Sequence, residues 1–107
     1  MLKEVILCDE NTSRVSVYVT ASLDGAKLTI SGVDCGQFPA EFWGDDDYEY
    51  WYGFDEQNTV LLFRKIGANE SDPLITLKER FSGADGCKRL REFCDSAGIV
   101  YRFESWV

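Results

Sequence analysis

The sequence predicts an α+β fold with about five strands in an antiparallel or mixed sheet and three helices packed on one face. Period-two alternation fills much of the first half of the chain and returns at the C-terminus. Three apolar stripes at three- and four-residue spacing lie between these regions and indicate helices. The length of 107 residues suits one domain, residues 1–107, that buries one continuous core.

Three strands are expected at the start of the chain. Residues 3–8 are short and apolar, and residues 14–20 alternate between apolar and polar side chains. The Asp24-Gly25 dipeptide is a tight-turn signal, and alternation resumes over residues 27–31. A meander of antiparallel strands is the simplest arrangement of these segments.

An ordered loop and a fourth strand follow. Glycines interrupt the alternation over residues 32–44, which predicts a loop with Gly32 and Gly36 as turn residues. Residues 48–54 are rich in strand formers. Alternation in this strand places one set of side chains on one face, Tyr48, Tyr50, Tyr52 and Phe54, and a second set on the other, Glu49 and Trp51.

Three helices and a last strand complete the pattern. Asp55 can cap the first helix, and Pro73 suits the first turn of the second. The third covers about residues 85–97 and ends at Gly98, a residue type that favours helix C-termini. Residues 99–107 alternate again and predict the final strand.

Charge is distributed unevenly along the chain. The formal net charge is −8, and residues 1–56 carry 12 acids and 3 bases, whereas residues 57–107 carry 7 acids and 8 bases. Nucleic acid is an unfavourable partner for the acidic half, because phosphate binding needs lysine and arginine. A basic protein surface is the complementary partner. Lys88, Arg89 and Arg91 cluster on the third predicted helix, where three bases fit a solvated face.

The residue types needed for catalysis and metal binding are poorly represented. Histidine is absent, and the four cysteines form no Cys-x-x-Cys pair. We expect no catalytic residues, no metal, no cofactor, and thiols that act as small apolar core residues in a reducing compartment. The first residues lack a secretory pattern and no apolar run is long enough for a membrane span, so a cytoplasmic location without membrane association is expected.

A segment from Phe42 to Glu56 mixes large aromatic residues with acids, which is the composition of a surface that binds a basic protein. The predicted partner-binding residues are Trp43, Asp45, Asp46, Asp47, Glu49 and Trp51. The aspartate triplet departs from calcium-loop spacing and fits a solvated acidic turn. The alternative interpretation is that the tyrosines of the segment face the core and its acids only solvate an edge.

The stretch Gly44-Asp45-Asp46-Asp47-Tyr48-Glu49-Tyr50-Trp51, the helices and the closing residues 98–106 together resemble small acidic bacterial proteins of uncharacterised function. In size and acidity the chain is also similar to immunity proteins that neutralise bacterial toxins, which are often acidic because nuclease toxins are basic. The resemblance implies a protein partner and carries over no catalytic residue.

The leading functional hypothesis is a non-enzymatic protein-binding module, in its specific form a bacterial immunity protein that neutralises a basic toxin. The alternative is a small-ligand or carbohydrate-binding domain, with an aromatic pocket in which Asp47 and Glu49 supply polar groups. A third hypothesis is a homodimer that buries Trp51 or the edge of the last strand.

Overall fold

A computed structural model of the chain describes residues 3–11, 15–36, 47–68 and 72–106. Within them, five strands form one sheet: β1 (Glu4–Asn11), β2 (Val15–Asp24), β3 (Lys27–Gly36), β4 (Asp47–Gly53) and β5 (Arg102–Trp106). Three helices lie between β4 and β5 in the chain: α1 (Glu56–Lys65), α2 (Pro73–Phe81) and α3 (Gly86–Ala97). The order β1-β2-β3-β4-β5 is antiparallel throughout, which confirms the α+β prediction.

The core lies between the three helices and one face of the sheet. Its largest fully buried side chains come from both layers: Leu28, Ile30, Leu62, Leu74, Leu77, Leu90 and Cys94. The predicted Asp55 cap is present, because its carboxylate accepts from the Asn58 N–H at 2.8 Å. α2 has a cap as well, since the Asp72 carboxylate accepts from the Leu74 N–H at 3.1 Å. Gly98 ends α3 in the left-handed conformation.

The third strand is longer than predicted, since β3 continues through the two glycines that we expected in turns. Gly32 pairs with Tyr50 of β4, and a Cβ atom at Gly32 would lie 2.2 Å from the Cζ atom of that tyrosine. The glycine is therefore required because the neighbouring aromatic ring lies over its backbone, and not because the chain turns. Residues 37–44 of the predicted loop lie outside the described residues.

β1 carries a bulge that places two consecutive side chains in the core. The register with β2 shifts between Ile6 and Cys8, so that one extra residue, Leu7, is inserted into the strand. Leu7 and Cys8 are consequently both 4% exposed, although strict alternation would turn one of them to the other face.

β5 begins three residues later than predicted. Ile99 is buried, and the Val100 N–H donates to the Asn58 side-chain carbonyl at 2.9 Å. The Ile99 N–H donates to the Cys94 carbonyl of α3 at 2.9 Å, so residues 99 and 100 are bonded to helices and the sheet ladder begins only at Arg102.

Thr59 joins the helix layer to the sheet. Its side chain is 2% exposed, and its hydroxyl accepts from the Leu28 N–H at 3.1 Å and donates to the Phe54 carbonyl at 3.4 Å. The Phe54 N–H in turn donates to the Leu28 carbonyl at 2.9 Å. One hydroxyl thus fixes α1 against the start of β3 and the end of β4.

Substitution Gly32→Ala is expected to destabilise the fold by about 1–3 kcal/mol, because the new methyl group overlaps the Tyr50 ring. Gly53→Ala is the matched control, since a Cβ there meets no atom within 4 Å and its expected effect is within about 0.5 kcal/mol of zero. Urea unfolding of both variants measures the difference. Equal stability of the two variants would contradict the packing of Tyr50 on Gly32.

Candidate functional site

The face of the sheet opposite the described helices is the candidate functional surface, called the open face below. Because directly paired residues point to the same side of a sheet, the strand register defines its members. They lie at alternate positions of each strand: Glu4, Ile6, Asp9, Asn11, Ser16, Tyr18, Thr20, Ser22, Asp24, Lys27, Thr29, Ser31, Val33, Glu49, Trp51, Gly53, Arg102, Glu104 and Trp106.

Trp51 lies on the second strand from the β5 edge of this face. Its neighbours across the ladder are Ser31 on β3 and Glu104 on β5. In the adjacent row Glu49 lies between Val33 and Trp106. An indole is therefore flanked by carboxylates at ladder distances of about 5 to 8 Å.

Large apolar side chains are accessible at several points of the open face. Trp106 is 70% exposed, Tyr18 43% and Ile6 41%, and Trp51 is partly exposed. Backbone pairing in the ladder fixes the backbone of these residues, so a partner that covers them has only their side-chain rotamers to order.

Acids outnumber bases on the open face. The acids described there are Glu4, Asp9, Asp24, Glu49 and Glu104, and the bases are Lys27 and Arg102. Arg102 also lies 3.7 Å from Glu104, which offsets part of its charge. The face is complementary to a cationic surface.

The structure places two of the six predicted partner-binding residues on this face, Glu49 and Trp51. Asp47 is the first residue of β4 and its backbone pairs with Cys35. Trp43, Asp45 and Asp46 lie outside the described residues.

Sequence reasoning missed two accessible aromatic residues, Tyr18 and Trp106. Trp106 was not among the predicted partner-binding residues, but it is the most exposed of the large apolar side chains described. The alternation of Arg102, Glu104 and Trp106 was the available signal, because residues that alternate with charged neighbours share their solvated face.

The tyrosines of β4 belong to the core side. Tyr50 and Tyr52 are 8% and 4% exposed. Their rings form a continuous series, with centroids 5.9 Å apart between Tyr50 and Tyr52 and 5.1 Å between Tyr52 and Phe103. The alternative interpretation made from the sequence is thus confirmed for these two residues, and a pocket that combines them with Glu49 does not form, because Glu49 lies on the opposite face.

A groove of about 380 Å³ runs beside Trp51 on the open face. It is lined by Thr29, Trp51, Gly53, Arg102 and Glu104. The absence of a side chain at Gly53 leaves the gap, and its volume falls in the range of small-ligand sites.

A second, smaller cavity of about 210 Å³ lies on the helix side, between α3 and β4. Its polar lining includes Asp34, Tyr50, Cys87 and Arg91. One carboxylate oxygen of Asp34, Oδ1, is buried without a hydrogen-bond partner, and burial raises the pKa of this carboxyl group while a hydrogen bond from Tyr50 opposes the shift.

The described thiols are protonated at neutral pH. Burial, assisted by the Glu10 carboxylate, raises the pKa of Cys8 to about 11, and burial raises the pKa of Cys94 to about 12. Burial also raises the pKa of Cys87, against hydrogen bonding by Tyr50 and the charge of Arg91. Because thiolates are the nucleophilic form, these sulfur atoms have the character of apolar core groups.

Comparison with protein-family models, with curated proteins and with solved structures found no match to this chain. Among the described residues, no group of three or more side chains of metal-ligating type lies close enough together to hold an ion. None of the three described helices has the length and apolar character needed to cross a membrane.

Asp34 and Asp55 are expected to affect stability with opposite pH dependences. The pKa of Asp34 in the folded chain lies above its usual 3.8. Its ionisation therefore destabilises the fold as pH rises from about 3.8 through the raised value. Hydrogen bonds from Asn58 hold the pKa of Asp55 below 3.8, so its contribution is present above that pH and is lost as pH falls through the lowered value.

The measurement is the free energy of unfolding of the parent chain, Asp34→Asn and Asp55→Asn between about pH 3 and pH 7. Relative to the parent, the Asp34 variant should gain stability as pH rises and the Asp55 variant should lose it. If the stability of both variants relative to the parent changed in the same direction with pH, the buried environment assigned to Asp34 or the capping role assigned to Asp55 would be wrong.

Proposed function

We propose that this chain is a non-enzymatic protein-binding module whose open face contacts a basic protein. One observation carries the proposal: Trp51 lies on the sheet face opposite the described helices, among accessible aromatic side chains and carboxylates. Aromatic side chains supply most of the binding energy in such interfaces, and surrounding carboxylates pair with lysine and arginine of the partner.

Two properties of the surface favour a cationic partner. Glu49 and Glu104 lie next to Trp51, so a guanidinium or ammonium group that reaches a carboxylate can also contact the indole. The net charge of −8 attracts a basic protein over distances of about a Debye length and raises its association rate.

The specific form that we propose is a cytoplasmic bacterial immunity protein that neutralises a basic toxin. The charge distribution supports it, because residues 1–56, which include four of the five strands, carry 12 acids and 3 bases. An inhibitor of this kind needs complementarity to the charge of its target and no catalytic group of its own.

The variants Trp51→Ala and Glu49→Gln/Glu104→Gln are expected to lose the partner. The protein is immobilised, incubated with lysate of its source cell at about 50 mM and about 200 mM salt, and the retained proteins are identified. The identified partner is then purified and its affinity measured, with an expected loss of at least about tenfold for each variant. Co-expression that relieves toxicity of that partner would support the immunity form.

Matched controls for this experiment lie on the helix layer. Ile75→Ala removes an apolar side chain that is 44% exposed, and Glu79→Gln removes an exposed charge from the same helix, α2. Both should bind as the parent does. A partner that is acidic, or that binds all variants equally, would rule out the open face as its site.

The groove beside Trp51 favours a second candidate function, the binding of a small ligand such as a carbohydrate. An indole face next to arginine, glutamate and threonine side chains is suited to stack on a sugar ring and bond its hydroxyl groups.

If this second function is correct, Gly53→Leu should abolish ligand binding, because the leucine side chain fills the groove whereas Gly53→Ala leaves most of it open. Titration with a panel of monosaccharides and disaccharides, followed by the fluorescence of tryptophan, measures binding. Unchanged fluorescence of the parent chain across the panel would contradict the carbohydrate hypothesis and leave the protein-binding proposal unaffected.

A further inference from the structure

β5 forms one edge of the sheet, and within the described part of the chain it pairs on one side only, with β4. All five of its residues are exposed. Phe103 and Trp106 are 46% and 70% exposed, and Val100, just before the strand, is 69% exposed. An edge that presents apolar side chains together with unpaired backbone groups is a template for another strand.

The opposite edge, β1, has several features that prevent such pairing. Its bulge at Leu7 interrupts the regular ladder, and the Leu7 carbonyl already accepts from the Gly83 N–H at 3.0 Å. Glu4, Asp9 and Glu10 are exposed along it. β5 has no bulge in its register with β4, no proline and no lysine, so only one of the two edges is suited to strand addition.

We propose that β5 pairs with β5 of a second copy of this chain, antiparallel about a two-fold axis at Phe103, to form one continuous sheet. In this register Arg102 lies opposite Glu104 of the partner subunit, and by symmetry Glu104 lies opposite Arg102 of the partner subunit. Trp106, the most exposed apolar side chain of β5, then lies at each end of the new ladder, near Val100 of the partner subunit.

Charge selects this register over its neighbour. A two-fold axis at Glu104 would place two glutamates directly opposite each other, which is unfavourable in a ladder. In the single chain the Arg102–Glu104 pair is weak, because both side chains are well exposed, at 81% and 61%. Pairing of two copies arranges these four charges with alternating sign along the new interface.

Salt dependence separates this interaction from the proposed partner binding. Each copy carries a net charge of −8, so two copies repel each other at long range, and added salt screens that repulsion. Because salt also screens the exposed Arg102–Glu104 pairs of the new interface, the two effects oppose each other and the dimer should change little with salt. Binding of a basic protein should become weaker, so either interaction can be absent without affecting the test of the other.

Sedimentation equilibrium of the full chain, at about 10 to 500 µM protein and at about 50 mM and 500 mM salt, measures the association. We expect a monomer–dimer equilibrium, and an increase of at least about tenfold in the dissociation constant for Arg102→Glu and for Glu104→Arg. The double variant Arg102→Glu/Glu104→Arg exchanges the charges and should restore the parent value. Phe103→Lys should abolish the dimer, and Trp106 emission should shift to shorter wavelength on dimerisation.

Glu79→Arg is the matched control, because it makes the same change in net charge as Glu104→Arg at an exposed position of α2. It should leave the dimer intact. A parent chain that remains monomeric at about 500 µM, or a double variant that dimerises no better than the single variants, would overturn the proposal. A dimer that survives Phe103→Lys would show that the second copy binds elsewhere.

Discussion

The hydroxyl group of Thr59 is the buried polar contact that joins the helical layer to the sheet. It accepts a hydrogen bond from Leu28 of β3 and donates one to Phe54, which follows β4, and so it fixes the direction in which the chain leaves the sheet. α1 therefore begins against one face, and α2 and α3 continue the same layer before the chain returns in β5. The other face carries none of the described helices, because the helical layer begins on this side.

The elements that were predictable from the sequence are those determined by local contacts. Capping by Asp55 and Asp72 involves residues two or three positions away, and the alternation in β4 separates its buried tyrosines from Trp51 without reference to the rest of the fold. Gly32 was misread because its role depends on a ring from another strand. No pattern within one segment reveals such a contact.

The candidate site was only partly predictable, because some of its relations are local and others connect distant parts of the chain. Glu49 and Trp51 could be placed on one face from alternation alone. Their association with Tyr18 and Trp106 required the strand order and register, which bring together residues 88 positions apart. The bulge in β1 was equally invisible in the sequence, because Leu7 and Cys8 read there as ordinary members of an apolar run.

Charge follows the division into two layers. Bases outnumber acids in each of the three helices, whereas acids outnumber bases on the open face. Arg89 also donates to the carbonyl groups of Arg80 and Ser82 at the end of α2, so part of the basic charge has a structural role. Among the described residues, the excess of acids thus lies on the open face and not in the helices, and this face attracts an approaching cation.

The bulge in β1 has a further consequence for assembly. In the language of polymer chemistry, a sheet with two open edges is a bifunctional monomer, and its strand pairing can continue without limit into fibrils. A sheet with one blocked edge is monofunctional, and the first pairing event is also the termination step. In the proposed dimer, the insertion of Leu7 into β1 would act as an end-capping group that confines sheet growth to a closed pair.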